Sequence, residues 1–157
     1  MKGCAKLTDQ FFMQKALLQA MRAKDMLEVP VGAVLVKDDK IISRGFNRRE
    51  TLQDATGHAE IIAIKKACNK LGSWRLSDCT LYVTLEPCPM CAGAIINARI
   101  PRVVVGTEDP KGGAFGGRIN LNSYGFNHMP TVEFGVMQQQ CSQLLKDFFI
   151  ELRNAKV

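Results

Sequence analysis

Hydrophobic positions in the first third of the chain predict a helix followed by a β-hairpin. Thr8 is suited to capping a helix whose apolar face carries Phe12, Met13, Ala16, Leu17, Ala20 and Met21. Two short apolar runs, Val31–Lys37 and Lys40–Phe46, flank Asp38-Asp39 and indicate two strands joined by a tight turn. A polar segment, Asn47–Gly57, then predicts a loop.

The remaining two thirds of the chain alternate between helical and strand patterns. A helix is expected over His58–Leu71, with Ile61, Ile64, Cys68 and Leu71 on one face and Gly72 as its C-cap. Pro89 opens a short helix that ends near Ala98, and Met137–Arg153 is amphipathic. Further strands are predicted at Thr80–Thr84, Arg102–Gly106 and Thr131–Val136. Glycine-rich Thr107–Gly117 must be a loop, and residues 118–130 follow neither period.

Alternating strands and helices predict an α/β sandwich with at least one parallel strand pair. The length of 157 residues suits a single domain, and the chain has neither an internal repeat nor a Pro/Gly/Ser linker. We therefore expect one domain over residues 1–157, with the C-terminal helix at about 137–153 packing on it.

Composition narrows the class of protein. Hydrophobic residues make up 46% and charged residues 23%, as in ordinary globular domains. No apolar run approaches the roughly 20 residues of a membrane span, and residues 1–10 are too polar for a signal peptide. A cytoplasmic protein is therefore expected. The net charge of +6 favours a polyanionic partner, although a solvated basic surface explains the charge equally well.

The six cysteines point to metal ligands or reduced thiols, because disulfides are rare in a chain of this size without a secretion signal. His58, Cys88 and Cys91 each lie at the start of a predicted helix, and one imidazole with two thiolates suits Zn²⁺. Cys4, Cys68, Cys79 and Cys141 belong to other elements. A site with three protein ligands keeps a position for water, whose pKa the ion lowers toward about 7.

Glu60 follows His58 by two residues, so it does not share a helix face with that ligand. It is suited to moving protons beside the metal site, whereas in isolation it would be read as a first-turn residue that favours the helix dipole. Cys88-x-x-Cys91 alone fits a redox dithiol or half of a structural zinc knuckle. Only the combination with His58-Ala59-Glu60 makes the motif specific.

This combination resembles the cytidine/deoxycytidylate deaminase superfamily, which uses it for zinc-dependent deamination of nucleobases. Within the superfamily the chain resembles the bacterial tRNA-specific adenosine deaminases, the TadA family. Four further segments carry this narrower likeness over most of the chain: Gly45-Phe46-Asn47-Arg48, Gly72-Ser73-Trp74-Arg75-Leu76, Asp109-Pro110-Lys111-Gly112-Gly113, and Asn127-His128 with the Phe148-Phe149 tail. The chain departs from the family at Gly57, where Ala is usual, and after Gly117, where Arg118-Ile119-Asn120 replaces a Ser-Leu pair.

The resemblance implies a three-layer α/β/α sandwich with a mixed sheet of about five strands, one zinc ion per subunit and a homodimer. The implied activity is hydrolytic deamination of the wobble adenosine in a tRNA anticodon. The implied zinc ligands are His58, Cys88 and Cys91, and Glu60 is the proton shuttle. The expected substrate contacts are Asn47 and Ala59 at the base, Asp109 and Phe149 near flanking nucleotides, and Arg48 and Lys111 at phosphates.

Three points stay open at this stage. Asn47 is also a common type of turn residue, and the sequence does not decide which of Phe148 and Phe149 contacts RNA. One rival function is deamination of a free base or nucleotide such as guanine, cytosine or deoxycytidylate. Another is a zinc-stabilised RNA-binding module without catalysis, against which Glu60 and the missing fourth ligand argue.

Overall fold

A computed structural model describes residues 7–156, so Cys4 and the ends of the predicted domain lie outside the described residues. The strands are β1 (Gly32–Lys37), β2 (Lys40–Phe46), β3 (Thr80–Leu85), β4 (Arg102–Thr107) and β5 (Thr131–Phe134). The helices are α1 (Asp9–Asp25), α2 (Arg49–Leu52), α3 (Ala59–Leu71), α4 (Pro89–Asn97) and α5 (Gln138–Ala155), and a 3₁₀ turn covers Leu121–Tyr124.

The five strands form one mixed sheet in the order β2-β1-β3-β4-β5. β1 is antiparallel to both of its neighbours, whereas β3, β4 and β5 are parallel to one another. This arrangement confirms the predicted mixed sheet. As a result, the carboxyl ends of β3 and β4 and the open end of the β1–β2 hairpin lie at the same end of the strands.

Period-2 alternation along the strands builds the three predicted layers. Ala33, Leu35, Leu81, Val83, Val103 and Val105 point to one face, where α3 and α4 cover them. Val34, Val36, Tyr82 and Val104 point to the other face, where they meet α1 and Cys141 of α5. The sheet is therefore buried on both sides, as expected for an α/β/α sandwich.

The turn and capping signals act where they are predicted. Asp38 and Asp39 both have positive φ, at 51° and 58°, as a tight hairpin turn requires. The Thr8 hydroxyl accepts a hydrogen bond from the Phe11 amide at 3.2 Å and starts α1. Gly72 ends α3 in the left-handed region with φ 64°, and Pro89 occupies the first turn of α4.

Three local expectations need correction. The segment Asn47–Gly57 is not all loop, because it contains α2. The buried face of α3 is Ala59, Ala63, Ile64 and Ala67, while Ile61, Cys68 and Leu71 are only partly buried. The reason is that α3 lies very close to β2, where a Cβ at Gly45 would collide with the Ala59 carbonyl, so small residues face the strand. Met21 is 51% exposed, unlike the rest of the predicted apolar face of α1.

None of the helices formed by residues 7–156 has the length and the apolar composition to cross a lipid bilayer.

Candidate active site

Three side chains with metal-binding atoms converge where α3 and α4 begin. His58 and Cys88 are the N-cap residues of these two helices, and neither side chain makes a capping hydrogen bond. The Nδ1 atom of His58 lies 3.5 Å from the sulfur of Cys88 and 3.5 Å from the sulfur of Cys91. All three potential ligand atoms lie within 4.8 Å of one another, so the two motifs meet at one point.

The donor set and its spacing fit Zn²⁺. Zn–S bonds of about 2.3 Å and Zn–N bonds of about 2.1 Å at a tetrahedral angle put sulfur and nitrogen ~3.6 Å apart, close to the spacing observed here. Within residues 7–156 this is the one cluster of three metal-binding side chains. Cys79 and Cys141 lie instead in the two hydrophobic cores. The described residues therefore supply three ligands, which is the number typical of a catalytic zinc site.

The three side chains of the cluster shift one another's pKa values, because they lie close together. The neighbouring Cys91 side chain lowers the pKa of Cys88 to about 4, assisted by His58 and opposed by burial. The neighbouring Cys88 side chain, together with burial, raises the pKa of Cys91. The bond to Cys88 also raises the pKa of His58. A divalent cation favours loss of these protons, because it attracts both thiolates and the neutral imidazole.

Glu60 lies in the first turn of α3, beside the cluster. Its side chain is 4% exposed, and the Cys91 thiol donates to its Oε2 atom over 3.4 Å. Burial raises the pKa of Glu60, because desolvation disfavours the carboxylate. A carboxyl group with a raised pKa is suited to taking up and releasing protons near neutral pH.

A cavity of about 170 Å³ opens directly onto these groups. Five residues proposed from the sequence line it together with Cys88, namely Asn47, His58, Ala59, Glu60 and Asp109. Sites for drug-sized ligands usually measure about 300–1,000 Å³, so this cavity suits a smaller group such as one planar base.

Asn47 forms a turn and also lies at the cavity. Its Nδ2 atom donates to the Val29 carbonyl at 3.2 Å, and its Oδ1 atom accepts from the Arg49 amide at 3.2 Å, as in an Asx turn. Its side chain also lines the cavity. An amide group has a second N–H and a second lone pair, so Asn47 can form the turn and still contact a ligand.

Phe148 and Phe149 are separated by the packing of α5. Phe148 is buried at 6% exposure, whereas Phe149 is 43% exposed. Phe149 lines a second cleft of about 360 Å³ together with Thr107, Glu108, Lys146 and Arg153. The structure therefore makes Phe149 the phenylalanine available for stacking, close to the loop that carries Asp109.

The two expected phosphate contacts differ in their surroundings. Lys111 is exposed on the loop after β4. Arg48 is only partly exposed: its guanidinium lies 5.7 Å from the ring centre of Phe46, and its Nε atom is buried without a hydrogen-bond partner among the described residues. Arg48 therefore packs against a neighbouring ring, whereas Lys111 does not have this constraint and is open to solvent.

The remaining cavity-lining residues were not anticipated: Val29, Val31, Arg49, Leu85 and Glu86. Their positions follow from topology, since they lie at the end of β3 and at the open end of the hairpin. Glu86 had a local signal, because an acidic residue directly before Pro87-Cys88 at the end of a buried strand is unusual.

Comparisons with known proteins find deaminases along almost the whole chain. Residues 7–153 match the family model described as MafB19-like deaminase. A curated tRNA-specific adenosine deaminase from Bacillus subtilis is 49% identical over 149 residues, covering 94% of this chain and 92% of that protein.

Two solved structures of deaminases are similar to this chain. One from a study of A-to-I editing by tRNA:A34 deaminases has a TM-score of 0.79 at 45% identity, covering 85% of this chain and 98% of that one. A guanine deaminase from Bacillus subtilis has a TM-score of 0.63 at 44% identity, but it covers only 65% of this chain and 66% of its own.

Proposed function

The chain belongs to the tRNA-specific adenosine deaminase family, and we propose that it hydrolyses the wobble adenosine of a tRNA anticodon to inosine with release of ammonia. The observation that carries this proposal is the buried Glu60 beside a three-ligand His/Cys/Cys cluster, at the base of a cavity of about 170 Å³. The enzyme is thus a hydrolase that acts on a C–N bond of a cyclic amidine, with one zinc ion per subunit.

His58, Cys88 and Cys91 would hold the zinc ion, which supplies Lewis acidity and makes water acidic enough to act as a nucleophile near neutral pH. Glu60 accepts a proton from the attacking water and delivers it to N1 of the adenine ring. As the C6–N bond breaks, Glu60 takes the proton of the new C6 hydroxyl and delivers it to the amino group, which leaves as ammonia. Water and adenosine are consumed, and inosine and ammonia are formed.

The other cavity residues hold the base in the orientation for attack. Asn47 offers a donor and an acceptor to the purine edge, while the fully buried Ala59 closes the wall next to His58 and Glu60. A wobble base reaches such an enclosed site by leaving the anticodon stack, which costs little in a single-stranded loop. Asp109 and Phe149 lie toward the nucleotides that flank the flipped base.

Deamination of a free base such as guanine is the second candidate, and the partial match to guanine deaminase is the observation that favours it. The tRNA deaminase matches cover much more of both chains, and the net charge of +6 suits a polyanion. A non-catalytic zinc-stabilised RNA-binding module would have no use for Glu60.

The deciding experiment is incubation of zinc-loaded protein with an unmodified tRNA, followed by nucleoside mass spectrometry. We expect inosine in place of the wobble adenosine and an equal amount of ammonia. Free guanine, cytosine and deoxycytidylate serve as parallel substrates. Turnover of one of these without inosine in tRNA would support the rival enzyme, and no turnover of any substrate would support the binding module.

Binding to tRNA is expected to weaken steeply as salt increases, because cations near the cavity neutralise phosphates. Lys111→Ala should reduce the slope of log affinity against log salt by about 0.7 while retaining zinc, because one contact to a single strand is lost. Lys40→Ala is the matched control, since Lys40 is equally exposed but lies at the opposite end of β2 from the site. Arg48→Ala should also weaken binding, but it removes packing on Phe46 as well.

An unchanged salt slope in Lys111→Ala, or equal losses in Lys111→Ala and Lys40→Ala, would contradict the role of Lys111 in phosphate binding.

We also propose a homodimer. In α4, Ala92 is buried inside the subunit. A Cβ at Gly93 would meet no atom beyond its own helix within 4 Å among residues 7–156, so this side of the helix is open to a close neighbour. Sedimentation at micromolar concentration should show a species of twice the 17.4 kDa chain mass. A 17.4 kDa species under these conditions would contradict the proposal.

Residues 1–157 are proposed to form a single deaminase domain that works in the cytoplasm. The family match over residues 7–153 and the contacts of α5 with β3 and β4 support the domain assignment. The tRNA substrate supports the proposed location in the cytoplasm.

A further inference from the structure

Glu86 is a buried carboxylate that the proposed chemistry does not use. It is 2% exposed, and it lies between the end of β3 and the zinc-ligand helix α4. Within residues 7–156 no lysine or arginine forms an ion pair with it. A buried carboxylate is costly unless its oxygens accept hydrogen bonds, so its partners indicate what it stabilises.

In the described part of the chain, the hydrogen-bond partners of the Glu86 side chain are all backbone amides of the glycine-rich loop after β4. Oε1 accepts from the amide of Asp109 at 3.0 Å, while Oε2 accepts from Phe115 at 3.0 Å and from Gly117 at 2.8 Å. These charge-assisted bonds hold the loop at both ends. The loop therefore wraps around a single side chain.

The glycines of this loop make the close approach to Glu86 possible. A Cβ at Gly113 or at Gly117 would collide both with the Glu86 carboxylate and with the Asp109 carbonyl, so only glycine fits at either position. The same loop directs Asp109 into the cavity wall, where Oδ1 accepts from the amides of Lys111 at 3.1 Å and Gly112 at 3.2 Å. Glu86 is thus the link between the zinc-ligand segment and the wall that carries Asp109.

A second buried carboxylate acts similarly on the opposite wall. Glu28 is 1% exposed, and it accepts hydrogen bonds from the amides of Glu50 at 2.9 Å and Thr51 at 3.1 Å. These amides belong to α2, next to Arg49, which lines the cavity. Glu28 makes no hydrogen bond to the Asp109 loop among the described residues, so it provides a matched comparison for Glu86.

We propose that Glu86 is a positioning residue for the deamination reaction, which sets the place of Asp109 in the cavity wall through the backbone of residues 109–117. This inference rests on the proposed function. Glu86→Gln should disturb one end of the loop selectively. The amide oxygen of Gln can still accept from Phe115 and Gly117, but its NH₂ group then faces the Asp109 N–H, and two donors do not bond.

The test is a double-mutant cycle on kcat/KM for an anticodon stem-loop, with Glu86→Gln, Asp109→Ala and the double variant. Glu86→Gln should lower kcat/KM about ten-fold or more with zinc content unchanged. In the Asp109→Ala background, Glu86→Gln should lower kcat/KM by less than about two-fold, because its effect passes through Asp109. Glu28→Gln is the matched control, and its effect should multiply with that of Asp109→Ala.

Amide hydrogen exchange reports on the same link without using the reaction. Glu86→Gln should speed exchange at the Asp109 amide and leave the Glu50 and Thr51 amides unchanged. Glu28→Gln should speed exchange at Glu50 and Thr51 and leave Asp109 unchanged. If Glu86→Gln does not fold, Gly113→Ala disturbs the contact from the loop side, because the Glu86 carboxylate is the nearest group to a Cβ there, and it should show the same coupling to Asp109→Ala.

Multiplicative effects of Glu86→Gln and Asp109→Ala, or unchanged exchange at Asp109, would overturn the inference. A wild-type protein that produces no inosine would contradict the proposed function instead, and the exchange result would still decide whether Glu86 holds the loop.

Discussion

Glu60→Gln is expected to abolish deamination while the fold, the zinc content and tRNA binding remain. Gln has nearly the same shape as Glu, and the side chain is buried in the first turn of α3, so helix packing should survive. Gln cannot accept a proton from water or carry one to the ring nitrogen and the leaving group. Each general acid–base contribution is worth about 10²–10⁴, and Glu60 serves several steps, so the loss of kcat should reach at least that range.

The measurement is single-turnover formation of inosine, with zinc content and tRNA affinity determined on the same preparation. Glu50→Gln is the matched control, because Glu50 also lies in the first turn of a helix but its side chain is 68% exposed. It should stay within a few-fold of wild type. If a folded, zinc-loaded Glu60→Gln protein also kept its activity within a few-fold of wild type, Glu60 would be only a helix-start residue. The mechanism would then need another proton carrier.

Cys88→Ala is expected to lose both zinc and activity. The described residues supply three ligands, and the two that remain after this substitution cannot hold the ion tightly. Lewis-acid assistance is worth several kcal/mol, so activity should fall about 1,000-fold or more. Elemental analysis of freshly purified protein should give one zinc per chain for wild type and almost none for the variant.

Cys68→Ala is the control for this substitution, because Cys68 is a partly buried thiol on α3 outside the cluster. It should retain full zinc. Wild-type protein without metal, four protein ligands in X-ray absorption spectra, or a Cys88→Ala variant that keeps its zinc would each contradict the three-ligand site.

Much of the chain could be interpreted from local pattern. The aspartates at 38 and 39 break an apolar run and accept positive φ, so the hairpin was predictable from sequence alone. Thr8, Gly72 and Pro89 mark helix ends by the same kind of short-range chemistry. The metal-binding motif was also readable, because each half of it opens a helix and the donor types match zinc.

Other features depended on packing between distant segments. Two adjacent phenylalanines have the same local propensity, and only the docking of α5 on the sheet buries Phe148 and leaves Phe149 exposed. Likewise the alanine face of α3 follows from its close approach to β2 at Gly45, which hydrophobic periodicity does not encode.

The sequence by itself determined the order of elements, the hairpin and the helix ends, because these depend on residues a few positions apart. It also predicted the cluster of His58, Cys88 and Cys91, because each half of the cluster is a short motif at a helix start. Only the tertiary structure decided that Arg48 packs on Phe46 and that Glu28 and Glu86 hold the two walls of the cavity. Those contacts join residues more than twenty positions apart or depend on burial. Charge and spacing along the chain carry no information about which backbone amides a buried carboxylate will meet.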